Sequence, residues 1–231
     1  MKRLMTFLVV AMAMVTMERV SNAALYTIGN ANYEGNDYKL IYEGTLGGYG
    51  LVWIIKDVAF PDPSWQAKVT IGGGINAFVL VLGWYWAFGW LLISGTSAPD
   101  YPLPDAVWFC LCISLCIVGC TIMIAADAQK YFTLRERRGL ITDGMYRYIR
   151  HPNYLGEIMI YGSFALMVWH WLPAVVLAWV WLGVFASNMV MKEASMSRYP
   201  EWAAYKKQLD SIGLPNVLAV VQKVWSRMYG K

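Results

Sequence analysis

An all-α, polytopic integral membrane bundle of about four to five transmembrane helices is the expectation from three observations. Hydrophobic residues make up 58% of the 231 residues and charged residues only 15%, against roughly 45–50% apolar content in soluble domains. The apolar residues gather into runs, several of them close to the ~20 residues that a membrane helix needs. The basic residues fall between and after those runs, as the bias of Lys and Arg toward cytoplasmic loops requires. With a net charge of only +4, nucleic acid is not an expected partner. The 12 Trp and 15 Tyr suit aromatic belts at the membrane surface.

Residues 1–17 carry Lys2 and Arg3 and then an apolar run, with Ser21, Asn22 and Ala23 beyond. A cleaved secretory signal, a short anchor and an interfacial helix all fit this pattern. Residues 26–49 are rich in Gly, Asn and Tyr and read as loop. Residues 51–60 form a short amphipathic piece ended by Pro61 and Pro63. These segments set residues 1–65 apart from a membrane-embedded domain over 66–231.

That domain opens with an uncharged run in a span over 69–94, where Gly72, Gly73 and Gly74 could admit another backbone. A loop with Pro99, Pro102 and Pro104, two Asp and no Lys or Arg follows. By the positive-inside rule it faces away from the cytoplasm. The next span, 106–126, holds all four cysteines, Cys110, Cys112, Cys116 and Cys120. No His or acid lies among them, so they read as packing residues rather than a metal site. That helix is expected to run on through Asp127, Gln129 and Lys130. Residues 154–169 and 174–191 form a helical hairpin, turned at His170-Trp171-Leu172-Pro173. Lys192, Arg198, Lys206 and Lys207 follow the last span. The 127–153 loop and the C-terminal tail therefore face one compartment. The tail breaks at Pro200 and ends in an amphipathic stretch over 217–228.

The stretch 127–157 is the most basic part of the chain, with Lys130, Arg135, Arg137, Arg138, Arg147 and Arg150. Singly, these residues have ordinary explanations. Arg147 and Arg150 serve topology, His151 a loop carbonyl, Tyr154 an aromatic belt. Together they carry more. Pro152 is suited to open a helix, whose first N–H groups would form an anion site beside Arg150. Glu157 is an ionisable group inside an apolar helix, which is by default a functional candidate. No Gly-x-Gly-x-x-Gly follows a strand, so a Rossmann cradle is not expected.

Three strings in order carry a family resemblance: Asp127-x-Gln129-Lys130 with Phe132 beyond it; Gly144-x-Tyr146-x-Tyr148-x-Arg150-His151-Pro152-Asn153-Tyr154-x-Gly156-Glu157; and Glu193 followed by Tyr199-Pro200-Glu201-Trp202-Ala203-Ala204-Tyr205 and Pro215. Over about residues 105–216 the chain resembles the DUF1295 family, within the membrane superfamily of the sterol C14 and C7 reductases and the steroid 5-alpha-reductase C-terminal domain. The middle string is also similar to the isoprenylcysteine carboxyl and phospholipid methyltransferases, which share Arg-His-Pro-x-Tyr-x-Gly and a later Glu. The Asp-x-Gln-Lys string and Asn153 favour the reductase side.

The resemblance implies a cofactor pocket on the cytoplasmic side, between the 127–154 loop and the C-terminal tail. NADPH would be bound there by Gln129, Lys130, Arg150, His151, Asn153, Tyr154, Glu193 and Tyr205. A lipid or sterol-like substrate would present a C=C bond to it, with Tyr154 and Glu157 as the candidate proton route. In the methyltransferase alternative the same pocket takes S-adenosylmethionine. A scaffold that keeps the fold without the chemistry is the second alternative. The membrane would be the endoplasmic reticulum in a eukaryote and the inner membrane in a bacterium.

Overall fold

The structure, a computed structural model, describes residues 37–62, 70–93 and 99–211. The signal-like residues 1–23 and the amphipathic stretch 217–228 lie outside the described residues. Among the described residues there is no strand. Three helical segments are long and apolar enough to cross a bilayer: Ile71–Leu92, Asp105–Glu136 and Trp171–Met196.

The first helix, α1 (Asp37–Ala59), replaces the described part, 37–49, of the loop expected over 26–49 and absorbs most of the short piece over 51–60. Four glycines within it, Gly44, Gly47, Gly48 and Gly50, lower its intrinsic helix propensity by up to ~1 kcal/mol each. Packing overrides that. Tyr42, Tyr49 and Lys56 recur every seven residues and are all buried, so they form one stripe facing the core. Tyr42 meets Phe164 edge-on at 5.6 Å.

The single span expected over 69–94 is also broken. It comprises α2 (Ile71–Leu80), a 3₁₀ turn at Leu82–Tyr85 and α3 (Trp86–Ile93). Thr70 caps α2 by accepting a hydrogen bond from Gly73 N at 3.1 Å. Trp179 donates to Leu80 O at 3.1 Å, which satisfies a carbonyl freed by the break. Gly72 meets nothing within 4 Å, so no backbone approaches it.

Two antiparallel helices, α4 (Asp105–Glu136) and α5 (Pro152–Val168), make the central pair. As expected, α4 continues through Lys130. Residues 127–136 are therefore helix, and the connecting loop is confined to 137–151. The pair crosses at two glycines. A Cβ on Gly156 would lie 2.6 Å from Gly119 O and 2.7 Å from Met123 N. A Cβ on Gly119 would lie 2.7 Å from Gly156 O. Backbone approach of this kind needs small residues, the common device where helices pack in lipid.

At the far end Tyr101 donates to Met167 O at 2.6 Å and Trp108 to Leu166 O at 3.0 Å. Both carbonyls belong to the last turn of α5, where no helical donor reaches them. The turn is tight. Trp169 adopts a left-handed φ of 46°, and His170 caps α6 (Trp171–Trp179) by accepting from Leu172 N at 3.2 Å. After a π-helical turn at Val180–Phe185, the helix continues as α7 (Ala186–Met196). The chain breaks near Pro200 and ends in α8 (Trp202–Ser211).

Gly156→Ala is expected to lower the thermal midpoint of the detergent-solubilised protein, by the ~1–3 kcal/mol typical of overpacking. Gly162→Ala, where a Cβ meets nothing within 4 Å, should not lower it, since Ala favours a helix over Gly. Equal midpoints for the two variants would show that the crossing opens without cost.

Candidate functional site

All the polar strings of the sequence meet at one end of the bundle. The C-terminal turns of α4 supply Gln129 and Lys130. The 137–151 loop and the first turns of α5 supply Arg150, His151, Asn153, Tyr154 and Glu157, while α7 and α8 supply Glu193 and Tyr205.

Gln129 is the clamp of the loop. It donates to Asp143 O at 2.9 Å and accepts from Met145 N at 2.9 Å. Between them Gly144 holds a φ of 55°, and a Cβ there would strike the Gln129 amide. Only glycine suits both constraints. Tyr146 then donates to Ala126 O at 3.2 Å, and Tyr205 reaches from α8 to donate to Tyr146 O at 2.6 Å. Burial pushes the Tyr205 hydroxyl up to about 12 despite the nearby Arg150 cation, so it remains a donor. The tail is thus fastened to the loop.

Arg150 and His151 stand where the loop enters α5, and both are almost wholly buried. Arg150 Nη1 lies 2.9 Å from Glu193 Oε1, and its Nη2 lies 3.5 Å from Asp210 Oδ1. The first contact is close but misaligned, because Nη1 makes no hydrogen bond among the described residues. His151 Nε2 is buried without a hydrogen bond too; Glu193 Oε1 is 3.9 Å away. Burial lowers the imidazole below its ordinary value of 6.5, with Glu193 opposing and Lys192 and Arg150 assisting. A guanidinium nitrogen and an imidazole nitrogen, both buried without a hydrogen bond among the described residues, stand beside the N–H groups of a helix start and make a corner suited to an anionic or carbonyl-bearing ligand. Asn153, half-buried next to them, makes no side-chain hydrogen bond among the described residues.

From this corner a polar face runs into the apolar interior. Tyr154, Glu157 and Tyr161 follow at three- and four-residue spacing, which places them on one side of α5. Tyr154 is buried against Phe185 at 4.9 Å, and Lys192 Nζ sits 4.5 Å above its ring. Phe185 closes the π-helical turn, and turns of this type are frequent at functional sites. Glu157 makes no hydrogen bond or ion pair among the described residues, yet it lies within electrostatic reach of Lys56, Asp127 and Lys192. Tyr161 shares a 2.9 Å hydrogen bond with Tyr49, which accepts from Trp53 Nε1 at 2.6 Å. Tyr85 stacks on Tyr161 at 4.5 Å.

The structure therefore brings the sequence-named residues to one end and divides their tasks. Lys130 is paired with Asp62 at 2.7 Å. Gln129 holds backbone. Residues that sequence reasoning passed over join them. Lys56 forms a buried ion pair with Asp127 and lies 4.3 Å above the Trp53 ring. Its signal was a cation beside Asp57 in a stretch whose other residues are apolar. Tyr49, Tyr85 and Tyr161 carried no signal, because their meeting requires three different helices.

A family model described as a protein of unknown function, DUF1295, matches residues 67–210. The chain belongs to the DUF1295 family. The match starts well before the 105–216 core expected from motifs, so family membership extends over α2 and α3 as well as the polar end. No curated protein matches the chain, and no solved structure does.

Removing one member of the buried pair, as in Lys56→Met, should cost about 3–5 kcal/mol, since Asp127 is left charged and alone. Lys56→Met with Asp127→Leu should recover most of that loss in the same denaturation assay; a double variant no better than the single would refute the account. The His151 expectation concerns pH. Its folded value is depressed, so below 6.5 the unfolded chain binds more protons than the folded one. The stability it contributes is complete above that value and is lost as pH falls through the folded value. His151→Gln should flatten the fall in melting temperature on acidification below pH 6.5, and an unaltered slope would assign the fall to other groups.

Proposed function

We propose that this DUF1295 protein is a membrane-bound, NADPH-dependent reductase of a carbon–carbon double bond in a lipid or sterol-like substrate. The observation that carries the reading is the continuity between two features. One is a buried cationic corner with unfilled donors, and the other is a ladder of protonatable groups leading from it into the bilayer. Reducing a C=C bond requires both, since an anionic hydride carrier must be held and a proton delivered nearby. Methyl transfer from S-adenosylmethionine needs the corner alone.

The residues fit such a cofactor. Arg150 Nη1 and His151 Nε2 retain hydrogen-bonding capacity, and a guanidinium suits phosphate oxygens. The Asn153 amide offers both donor and acceptor to a carboxamide. Glu193 steadies Arg150, while Gln129 and Tyr205 hold the loop in place. Lys130, tied to Asp62, sets the position of the chain after α1 and adds positive potential. Bound NADPH supplies the hydride for one carbon of the double bond. The other carbon needs a proton, which Glu157 or Tyr154 is placed to hold. A Tyr can act as the acid when a partner steers its proton. The apolar walls of α4 and α5 keep bulk water from that proton.

In this reading α1 and α5 also cross the membrane, giving five crossings. The corner faces the cytoplasm, because Arg135, Arg137, Arg138 and Arg147 surround it. That orientation suits the endoplasmic reticulum or a bacterial inner membrane.

Thermal stabilisation of the solubilised protein is the direct test, with NADPH and S-adenosylmethionine in parallel. NADPH at ~100 times its dissociation constant should add roughly 2.7 kcal/mol. Asn153→Ala should abolish the shift while leaving the ligand-free midpoint in place. Glu157→Gln should keep the shift and lose turnover, so that unsaturated precursor accumulates in cells. A shift with S-adenosylmethionine alone would move the chain to the methyltransferases. A shift with neither ligand would favour a scaffold.

A further inference from the structure

A second feature of the bundle has no part in the cofactor corner. Between α1 and α4 lies a cavity of about 680 Å³, within the ~300–1,000 Å³ range of ligand sites. Gly44, Gly48 and Tyr49 line it from α1, and Cys116, Cys120 and Thr121 from α4. No charged residue contributes to its wall. Its α4 wall runs from Ile113 to Ala125, about 18 Å at 1.5 Å per residue. It is therefore a trough lying along the helices, in the middle of a segment apolar enough to span a membrane.

The trough exists because of glycine spacing. Gly44 and Gly48 are one turn apart on α1, and a Cβ on either would meet nothing within 4 Å. Side chains are missing where there is room for them. On the inner wall Tyr49 turns its hydroxyl to Tyr161, the lower rung of the α5 ladder. Tyr49 stands part-way along the trough, whose walls run from Gly44 to Val52 and from Ile113 to Ala125, so the trough passes the Tyr49–Tyr161 pair.

We infer that this trough is the binding site for one extended acyl chain of a membrane lipid, which it holds so that a point along the chain lies against Tyr49, the hydrogen-bond partner of Tyr161. The uncharged wall excludes a headgroup. The volume of the trough is drawn out along the α4 wall from Ile113 to Ala125, a lengthwise shape that suits a flexible linear chain. The outer rim, at Gly44, Gly48, Ile117 and Thr121, is exposed, so entry is sideways from the surrounding lipid. This deepens the reductase reading and rests on it for the chemistry, though not for the binding.

The test uses full-length protein reconstituted in phosphatidylcholine nanodiscs, with a trace of phosphatidylcholine carrying a diazirine part-way along one acyl chain. After illumination, labelled peptides are mapped by mass spectrometry. Adducts are expected on the facing walls of the trough, within residues 44–52 and 113–125. Gly48→Leu fills the channel without a clash and should cut that labelling about ten-fold, equivalent to ~1.4 kcal/mol of binding. Gly162→Leu, also in open space, should leave it unchanged. Three results would overturn the inference: equal labelling of the exposed Val107 and Leu111, stronger labelling by a diazirine sterol, or crosslinks showing that residues 4–17 of this chain fill the trough. The NADPH shift is read on the same samples. Trough labelling without an NADPH shift would leave the acyl site standing and remove the reductase reading. An NADPH shift without trough labelling would do the reverse.

Discussion

The backbone contact between Gly119 and Gly156 positions nearly everything else at the polar end. With both Cβ atoms absent, α4 and α5 approach closely enough for Gly156 to sit between Gly119 and Met123. Lipid offers no hydrophobic drive for helices to associate, so close packing of small residues has to supply it. The approach fixes the height of one helix relative to the other. It thereby sets Gln129, eight or more residues along α4, level with the loop that it clamps. A side chain at either glycine would separate the two strings that the corner requires together.

The loop and tail then act as a fastening. Gln129 uses both ends of its amide on the backbone of Asp143 and Met145. Tyr146 and Tyr205 continue the connection to α4 on one side and α8 on the other. These hydrogen bonds satisfy loop backbone that would otherwise be costly to bury. They leave Arg150 and His151 buried with hydrogen-bonding capacity to spare. Unfilled donors in a nearly closed site carry a desolvation cost, and a ligand that completes them would offset it. This is why the corner, more than the exposed Arg147 or the paired Lys130, bears the functional reading.

Along α5 the polar character continues inward without a direct ion pair among the described residues. Glu157 has no ion-pair partner among the described residues, whereas Lys56 and Asp127 nearby are fully engaged with each other. The tyrosine cluster extends the polar path to the α1 trough, where glycines and cysteines replace bulky side chains. The Arg150–His151 corner, the Tyr154–Glu157–Tyr161 face of α5 and the apolar trough are thus linked through the Tyr49–Tyr161 hydrogen bond.

Much of this was legible in the residues. Composition and run length predicted helices in a membrane, and α4 runs through Lys130 as its apolar run implied. The hairpin of α5 and α6 turns where His170 and Pro173 marked it. The motif strings pointed to the family and to the polar end. What the sequence determined alone was local: helix-forming runs and the proline that starts α5. Other features depended on partners distant in the chain. The glycines of α1 read as loop because propensity is a one-residue property, and the tyrosine stripe that overrides it acts only against Phe164 and Tyr161. The span over 69–94 read as continuous because nothing local marks the turn at Leu82–Tyr85. Tertiary structure also decided that Lys130 would pair with Asp62 and Lys56 with Asp127, and that Tyr49 would join Tyr161 across 112 positions. Ion pairs and hydroxyl contacts depend on distance in space, and spacing along the chain reports that distance only within a single helix.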